Sequence, residues 1–425
     1  MPRINLWRRT LTTVRIYAVR GTVIVTIGLG WVDQSHGAPG DPPAVDAPPI
    51  DFYVGDQEQY DSNLYRQPSY VTNFATVIAP NATRADYINT IFAGFDGKWT
   101  PGQQEVDLNL RANDNRFAHN DMLNNYSGSA DLLWDWRIGS YFSGQLGGDF
   151  TRTLANFSET LYLGRDVVDS TDYYGNARYQ VGPRWAIYGG VREVDALHSA
   201  VPAQYNDYRS SSGNVGVEFA TSVENTIGLE YQYQNGRFDH GEFLLNDEPF
   251  DRDFGQNSLG LLAKYIWTEK TAFNASVNYL RRSYTNEPVG AFSGVNWNVS
   301  MQWQATDKTQ VLFSVYRLLQ AYLASQSDYY TATGGSIAPS WSPTEKLTFK
   351  LIVASAKQNY IDTSPSVLLT GAREDRVNSQ QATIIYIPIR ALTVNFAYTH
   401  QQRSSNQAVY GFDDNLATVS ATFKF

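Results

Sequence analysis

Arginine and lysine side chains recur at positions that alternate with apolar residues, which places them on one face of an extended chain. The basic residues of this face are Arg111, Arg137, Arg178, Arg184, Arg192, Lys264, Arg282 and Lys350. Guanidinium groups bind carboxylates through paired hydrogen bonds, so this face suits an acidic ligand. Arg137, Arg178, Arg184 and Arg192 are expected on the fourth, sixth and seventh strands, where they would form a cationic track.

Acidic residues share this face and leave a second interpretation open. They are Glu105, Asp107, Asp131, Asp135, Asp149, Glu218 and Glu230. In this interpretation the charges form ion pairs that stiffen a wall, and they bind no substrate. Tyrosines also lie on the face, and their rings can stack on sugars while the hydroxyl groups stay in water. These are Tyr141, Tyr174 and Tyr188.

Residue types that are typical of catalytic and metal sites are scarce. The chain has no cysteine, which excludes disulfides and thiolate metal sites. His198 and Ser199 are adjacent, but neighbouring side chains on an extended chain point to opposite sides. No glycine-rich phosphate loop opens a helix. We therefore predict no enzyme activity, no cofactor and no metal site, and the net charge of -9 argues against a nucleic-acid partner.

The elements that position these side chains are strands. Trp297, Val299 and Met301, for example, alternate with Asn298 and Ser300, and this period of two predicts a strand with one apolar face. Eighteen such segments begin near Phe52, Asp86, Gln103, Tyr126, Ser140, Ser170, Arg184, Ser210, Asn225, Phe254, Thr271, Ala291, Lys308, Asp328, Lys346, Arg376, Arg390 and Asp413. Sixteen is the alternative count, because the segments near Phe52, Asp86 and Asp328 alternate poorly.

The connections between these segments alternate between short and long. The link at Gly182 and Pro183 is tight, whereas residues 195–209 and 238–253 form long links. Transmembrane barrels of the outer membrane have short periplasmic turns and long extracellular loops. The sequence therefore predicts an all-β, up-and-down antiparallel barrel of about 18 strands in the outer membrane of a Gram-negative bacterium, with both termini periplasmic. Its apolar face would contact membrane lipid and lipopolysaccharide.

The N-terminal region predicts export from the cytoplasm. Several arginines precede an apolar run over residues 21–32, and small residues follow it, as in a cleaved signal peptide. We predict a signal peptide over residues 1–37, a proline-rich periplasmic segment over 38–51 and the barrel over 52–425.

The last predicted strand carries alternating apolar residues and closes on Phe423 and Phe425. This pattern resembles the C-terminal signal by which outer-membrane proteins reach the barrel assembly machinery. We therefore expect that machinery to be a partner of this chain.

The first predicted strand leads into a seven-residue motif: Tyr60, Asp61, Ser62, Asn63, Leu64, Tyr65 and Arg66. The motif resembles the start of EpsL-like barrels of the β-barrel porin 2 group, which are associated with exopolysaccharide biosynthesis and export. The resemblance implies a pore that exports an extracellular polysaccharide through its lumen. It also implies a periplasmic scaffold on a separate chain. By residue type alone, Asp-Ser-Asn is typical of a turn at the end of a strand.

Two other functions fit the same pattern. A barrel of this size also suits a general or oligosaccharide diffusion porin. A third alternative is a structural or adhesive barrel that acts through its extracellular loops.

Overall fold

The protein is a single closed β-barrel in the computed structural model, which describes residues 50–73, 82–158, 160, 162–222, 224–239, 242–243, 249–250, 253–284, 291–321, 329–361 and 372–425. The barrel strands are β1 (Ile50–Asp61), β2 (Asp86–Trp99), β3 (Glu105–Phe117), β4 (Asn125–Ile138), β5 (Phe142–Leu154), β6 (Val167–Val181), β7 (Trp185–His198), β8 (Tyr208–Ala220), β9 (Thr226–Phe238), β10 (Phe254–Thr268), β11 (Thr271–Tyr284), β12 (Phe292–Thr306), β13 (Thr309–Ala321), β14 (Tyr329–Thr344), β15 (Leu347–Ile361), β16 (Glu374–Ile389), β17 (Leu392–Ser405) and β18 (Phe412–Lys424).

Smaller elements lie in the connections at the long-loop end. They are a two-stranded pair (Glu242–Phe243 and Pro249–Phe250) and the 3-10 helices Asp121–Leu123, Val201–Asn206 and Ala408–Tyr410. No helix among the described residues is long and apolar enough to cross a membrane.

Each strand pairs antiparallel with the next, and β18 pairs with β1, so the sheet closes on itself. The predicted count of eighteen is confirmed, and the barrel is a transmembrane up-and-down barrel. β1 begins at Ile50, two residues before the predicted start. The predicted signal peptide lies outside the described residues, as does nearly all of the proline-rich segment.

Alternation divides each strand between the two sides of the wall. The outward positions of β9, for example, include Ile227, Leu229 and Tyr231, which are all exposed. Aromatic rings mark the short-turn end of the outer face: Phe52 lies 5.2 Å from Phe95. At the long-loop end Tyr60 lies 5.0 Å from Tyr87. Rings at both edges of an apolar belt are typical of membrane barrels.

The poor alternation of β1 has a physical cause on the outer face. Asp56 and Glu58 point outward between apolar neighbours, and both accept hydrogen bonds of 2.9 Å from the Asn89 amide. The Asn89 amide therefore gives both carboxylates a hydrogen-bond donor, which the hydrocarbon of the membrane does not offer.

Poor alternation in β14 has its cause on the inner face. Tyr330 and Ala332 point inward but pack with Tyr360 of β15 in a small buried cluster. Both faces of the strand are therefore apolar at this end, and the period of two is lost.

Short turns connect the strands at the end of the barrel opposite the long loops. Gly139 and Gly182 have positive φ values of 60° and 66° in two of these turns, a conformation that favours glycine. Asp96 and Gly97 are of residue types that suit a turn, but both pair within β2, and the chain turns only after Trp99.

Candidate functional site in the barrel lumen

Aspartates line up across the inner wall of the N-terminal half, which we define as β1–β9. Asp51 is directly opposite Asp96, and Asp131 is opposite Asp149, which is opposite Asp172. Asn109 bridges the two groups, because it is opposite both Asp96 and Asp131. We call Asp51, Asp96, Asp131, Asp149 and Asp172 the carboxylate row. It begins near the short-turn end of β1 and rises toward the long-loop end at β6.

Basic side chains compensate only part of this row. Arg192 holds the Asp172 carboxylate with its Nε at 2.7 and 3.0 Å from the two oxygens. Lys424 lies 3.3 Å from Asp96. Asp149 hydrogen-bonds to Asp131 and also interacts with Arg192, and two acidic groups directly opposite each other on a sheet favour a cation in the adjacent lumen.

A cluster of three carboxylates stands at the short-turn end of the same wall. Glu105, Asp107 and Asp135 offer oxygens close enough together to surround one ion. The Lys98 ammonium already lies 2.7 Å from Glu105 and 3.4 Å from Asp107, and it neutralises much of the cluster.

The structure does not join the arginines of the predicted cationic track into a row. Arg178 forms a 2.6 Å ion pair with Glu218, and Arg192 binds Asp172. Arg184 lies in the turn before β7, so its predicted placement on a strand is wrong. Arg137 is exposed next to the short-turn end of β4. Arg178 and Arg192 are therefore held in ion pairs, Arg178 with a carboxylate two strands away on β8 and Arg192 with one on the neighbouring strand β6.

The other predicted basic residues are spread around the lumen. The Arg111 guanidinium stacks 3.9 Å from the Phe92 ring. Arg282 is 1% exposed and donates to the side-chain oxygen of Gln256 at 2.8 and 3.0 Å. Lys264 and Lys350 occupy inward register positions on β10 and β15.

Two predicted tyrosines lie flat against the wall. Tyr174 is opposite Gly147, and a Cβ built on that glycine would meet the tyrosine ring at 2.3 Å. Tyr188 covers Gly216 in the same way. Tyr141 lies in the turn before β5, so it is not on the strand face that we predicted.

The seven-residue motif forms a clasp where the barrel closes. Asp61 accepts a hydrogen bond from Arg66 at 3.0 Å, and Arg66 also reaches Asp414 of β18 at 3.2 Å. The Asn63 amide donates to the backbone oxygens of Asp413 and Gln67, both at 2.9 Å. These contacts join β1 to β18, and we call this set the clasp.

The remaining motif residues extend the clasp to both sides. Ser62 Oγ donates a hydrogen bond to the Asp414 carboxylate and accepts one from the backbone N–H of Asn415. Tyr65 is fully buried, and its hydroxyl donates to Asn120 at 2.9 Å. Burial raises the pKa of the Tyr65 phenol, so it stays a donor at neutral pH. The sequence predicted the strand exit here but not the link to β18.

The described residues of three loops fold inward over the mouth of this half. Leu64 and Tyr65 come from loop 1 (residues 62–85), Leu123 from loop 2 (118–124) and Phe157 from loop 3 (155–166), and they pack together in one buried cluster. The cluster rests on inward-facing residues at the ends of β2 and β3. Because these side chains lie inside the wall, the loops narrow the long-loop mouth.

Loop 3 also reaches the other side of the barrel. The Arg403 guanidinium of β17 donates to the backbone oxygen of Ser158 at 2.8 Å. We call this contact the loop 3 tether. The tether links loop 3, which follows β5, to β17, so the loop lies across part of the mouth.

Asp166 anchors the far end of loop 3. It binds His198 Nδ1 at 2.6 Å and the Ala200 amide at 3.0 Å. Burial alone would raise the pKa of Asp166, but the hydrogen bonds from His198 and Ala200 hold it below its ordinary value. Ser199 Oγ contacts this carboxylate and not the imidazole, so the three residues form an anchor and not a serine–histidine pair.

A family comparison supports the porin character of this barrel. Residues 251–425 match the model of a family described as "Putative beta-barrel porin 2". The match covers β10–β18, and the clasp motif Tyr60–Arg66 lies outside it. No curated protein sequence matches this chain.

The chain is also similar in outline to solved structures. A BenF-like porin from Pseudomonas fluorescens Pf-5 is 9% identical, with a TM-score of 0.48 over 88% of this chain and 99% of that one. Pseudomonas aeruginosa OccK2 (OpdF), solved in complex with glucuronate, is 10% identical, with a TM-score of 0.46 over 88% and 98%. The fold defines the class of this protein, a transmembrane up-and-down β-barrel of eighteen strands, and its C-terminal part is similar to the β-barrel porin 2 family model.

Proposed function

We propose that this protein is a passive outer-membrane channel for small polar solutes and that it prefers cations. The carboxylate row carries the proposal. Charged rings and rows on a pore wall set the sign of the ions that pass, because the lumen is narrow enough for them to interact with each permeating ion.

The size of the barrel supports conduction. Barrels of 16–18 strands enclose an aqueous channel, whereas barrels of about eight strands are filled by their own side chains. The inward loops narrow this channel at one mouth, which suits small solutes. The net charge of the inner wall in the N-terminal half is acidic, since Arg178 and Arg192 are already paired with Glu218 and Asp172.

Zero-current potentials in planar bilayers test the proposal. The full-length protein should show cation preference under a tenfold KCl gradient. The double variant Asp131→Asn and Asp149→Asn should lower the cation-to-anion permeability ratio by roughly fivefold, the effect of about 1 kcal/mol per permeating ion. This variant leaves the Arg192 and Asp172 pair intact, so no new unpaired cation is created.

A matched control removes an acid from the opposite face of the wall. Glu193 lies on the outer face of β7, opposite Tyr173. Glu193→Gln should leave the permeability ratio unchanged. Anion preference in the unmodified protein, or an unchanged ratio in the double variant, would show that the carboxylate row does not select ions.

Export of an extracellular polysaccharide is the second candidate function, and the resemblance of the motif favours it. In the structure that motif closes the barrel seam and anchors loop 1. Its residues therefore have a structural role and do not indicate which solute passes through the barrel. The two candidates differ in one observable. If export is right, deleting the gene abolishes extracellular polymer and traps it in the periplasm, whereas a diffusion channel leaves polymer yield normal.

A further inference from the structure

Cationic residues line up on the outer face of the C-terminal half, near the long-loop end. Arg317 of β13 is opposite Thr333 of β14, Thr333 is opposite Lys357 of β15, and Lys357 is opposite Arg376 of β16. We call Arg317, Lys357 and Arg376 the outer cationic row. Their positions alternate with inward residues and follow the exposed apolar residues of the same strands, such as Val315 and Val353.

The row borders the apolar belt. Trp297, an outward aromatic of β12, is opposite Arg317. Lys357 lies four residues beyond the exposed Val353, and Arg376 lies close to the start of β16 at the long-loop end. The row therefore rises from the aromatic edge of the belt toward the long loops, at the depth where the polar groups of membrane lipids lie.

The row carries more positive charge than its surroundings neutralise. Glu374 binds Lys357 at 2.9 Å. Within the part of the chain that the structure describes, Arg317 and Arg376 have no hydrogen-bond or ion-pair partner. Lys357 and Arg376 are like charges in directly opposite positions, an arrangement that destabilises a sheet unless an anion lies between them.

Two other outward cations of the barrel are paired with carboxylates. Arg152 of β5 is opposite Asp169 of β6 and binds it at 3.1 Å. Arg209 of β8 binds Asp195 of β7 at 2.6 Å. Arg317 and Arg376 differ from Arg152 and Arg209, because the described residues place no such carboxylate next to them.

We propose that the outer cationic row binds phosphate groups of a phosphorylated glycolipid in the leaflet at the long-loop end. Arg317 and Arg376 offer paired N–H donors that match phosphate oxygens. Neighbouring strands are about 4.8 Å apart, so one phosphate can contact both Lys357 and Arg376 while a second contacts Arg317. The acyl chains then lie along the apolar outer positions of β13–β16.

Lipid binding to the full-length protein in non-ionic detergent tests this site. The probe is diphosphorylated lipid A, and native mass spectrometry measures its apparent dissociation constant. The double variant Arg317→Gln and Arg376→Gln should bind roughly 25-fold more weakly, about fivefold for each cation removed. Arg152→Gln is the matched control, because it removes a balanced outward cation, and it should bind as the unmodified protein does.

Two further probes identify the group that is recognised. The same lipid without its phosphates should bind to the unmodified protein and to the double variant with equal, low affinity. Inorganic phosphate alone should not compete at lipid-saturating conditions, because it lacks the acyl chains. Unchanged affinity in the double variant overturns the site, tight binding of the dephosphorylated lipid overturns phosphate recognition, and full competition by inorganic phosphate overturns a lipid as the ligand.

Discussion

The two halves of the inner wall carry equivalent rows of directly opposed residues with different chemistry. The N-terminal half has the carboxylate row, which ends at Asp172 of β6. In the C-terminal half, β10–β18, the corresponding row contains Ser300 opposite Ser314, which is opposite Ser336. We call these serines the hydroxyl row. Both rows rise from the short-turn end toward the long-loop end.

The difference shows that the two halves of one wall can carry different charge, because carboxylates face each other in the N-terminal half whereas the inward Lys264 and Lys350 accompany the serines in the C-terminal half. Serine hydroxyls satisfy their own hydrogen bonds in a wet lumen and place no fixed charge there. Carboxylates opposite one another need counter-charges, and Arg192 and Lys424 supply two of them. The clasp and the inward loops also lie at the N-terminal half. The narrowed mouth and the carboxylate row are therefore on the same side of the barrel.

Breaking the clasp should have the largest effect. Asp61→Ala removes one of the two buried carboxylates that bind the Arg66 guanidinium and leaves Asp414 to bind it alone, so the free energy of unfolding should fall by about 3 kcal/mol, the lower end of the cost of breaking a buried ion pair. We expect the urea midpoint of the barrel in detergent micelles to fall accordingly, as measured by tryptophan fluorescence.

A matched exposed pair provides the control for the clasp. Asp169→Ala removes the partner of Arg152, whose side chain is 47% exposed, so the cost should stay below about 1 kcal/mol. Equal losses for Asp61→Ala and Asp169→Ala would contradict a buried structural role for the clasp.

Releasing the loop 3 tether should have an intermediate effect, because this contact links the two halves. Arg403→Gln removes a charged donor to Ser158, and such hydrogen bonds contribute about 1.5–3 kcal/mol. We expect loop 3 to leave the mouth at least about tenfold more often.

Thiol labelling measures this release. The chain has no cysteine, so Asn156→Cys introduces a single reporter in loop 3. Its labelling by a maleimide should accelerate with Arg403→Gln and stay unchanged with Arg281→Gln, a substitution on β11 away from the loop. If Arg403→Gln leaves the maleimide labelling rate unchanged, the tether does not hold the loop.

Transplanting charge into the hydroxyl row should have the smallest effect. The double variant Ser314→Asp and Ser336→Asp places two opposed carboxylates in the hydroxyl row, as at Asp131 and Asp149. We expect the cation-to-anion permeability ratio to rise by up to roughly fivefold. The isosteric control Ser314→Asn and Ser336→Asn should leave the ratio as it was, and a rise with that control would assign the effect to size and not to charge.

Much of the fold could be predicted because the pattern is local. The eighteen predicted segments start within three residues of the observed strands, since alternation within one strand needs no knowledge of its neighbours. The alternation of short and long links likewise follows from turn residues such as Gly139 and Gly182.

The candidate site could be predicted only in part. Asp131 and Asp149 were placed on the correct face, but Asp51, Asp96 and Asp172 were not recognised as members of one row. Two of these three lie in β1 and β2, where outward Asp56 and Glu58 and buried inward residues blur the alternation. Arg184 and Tyr141 were assigned to strands although they lie in turns, because strand ends are set by pairing.

The sequence by itself determined that strands with one apolar face cross a membrane, that about eighteen of them form the barrel, and which side chains face the lumen. Only the tertiary structure decided the register between strands. Register brings Asp131, Asp149 and Asp172 together and gives Arg178 and Arg192 their carboxylate partners. Closure of the barrel also brings Ser62 and Arg66 to Asp414, far away in the chain, and no local pattern encodes these contacts. The charge of the channel therefore depends on pairings that alternation along a single strand cannot specify.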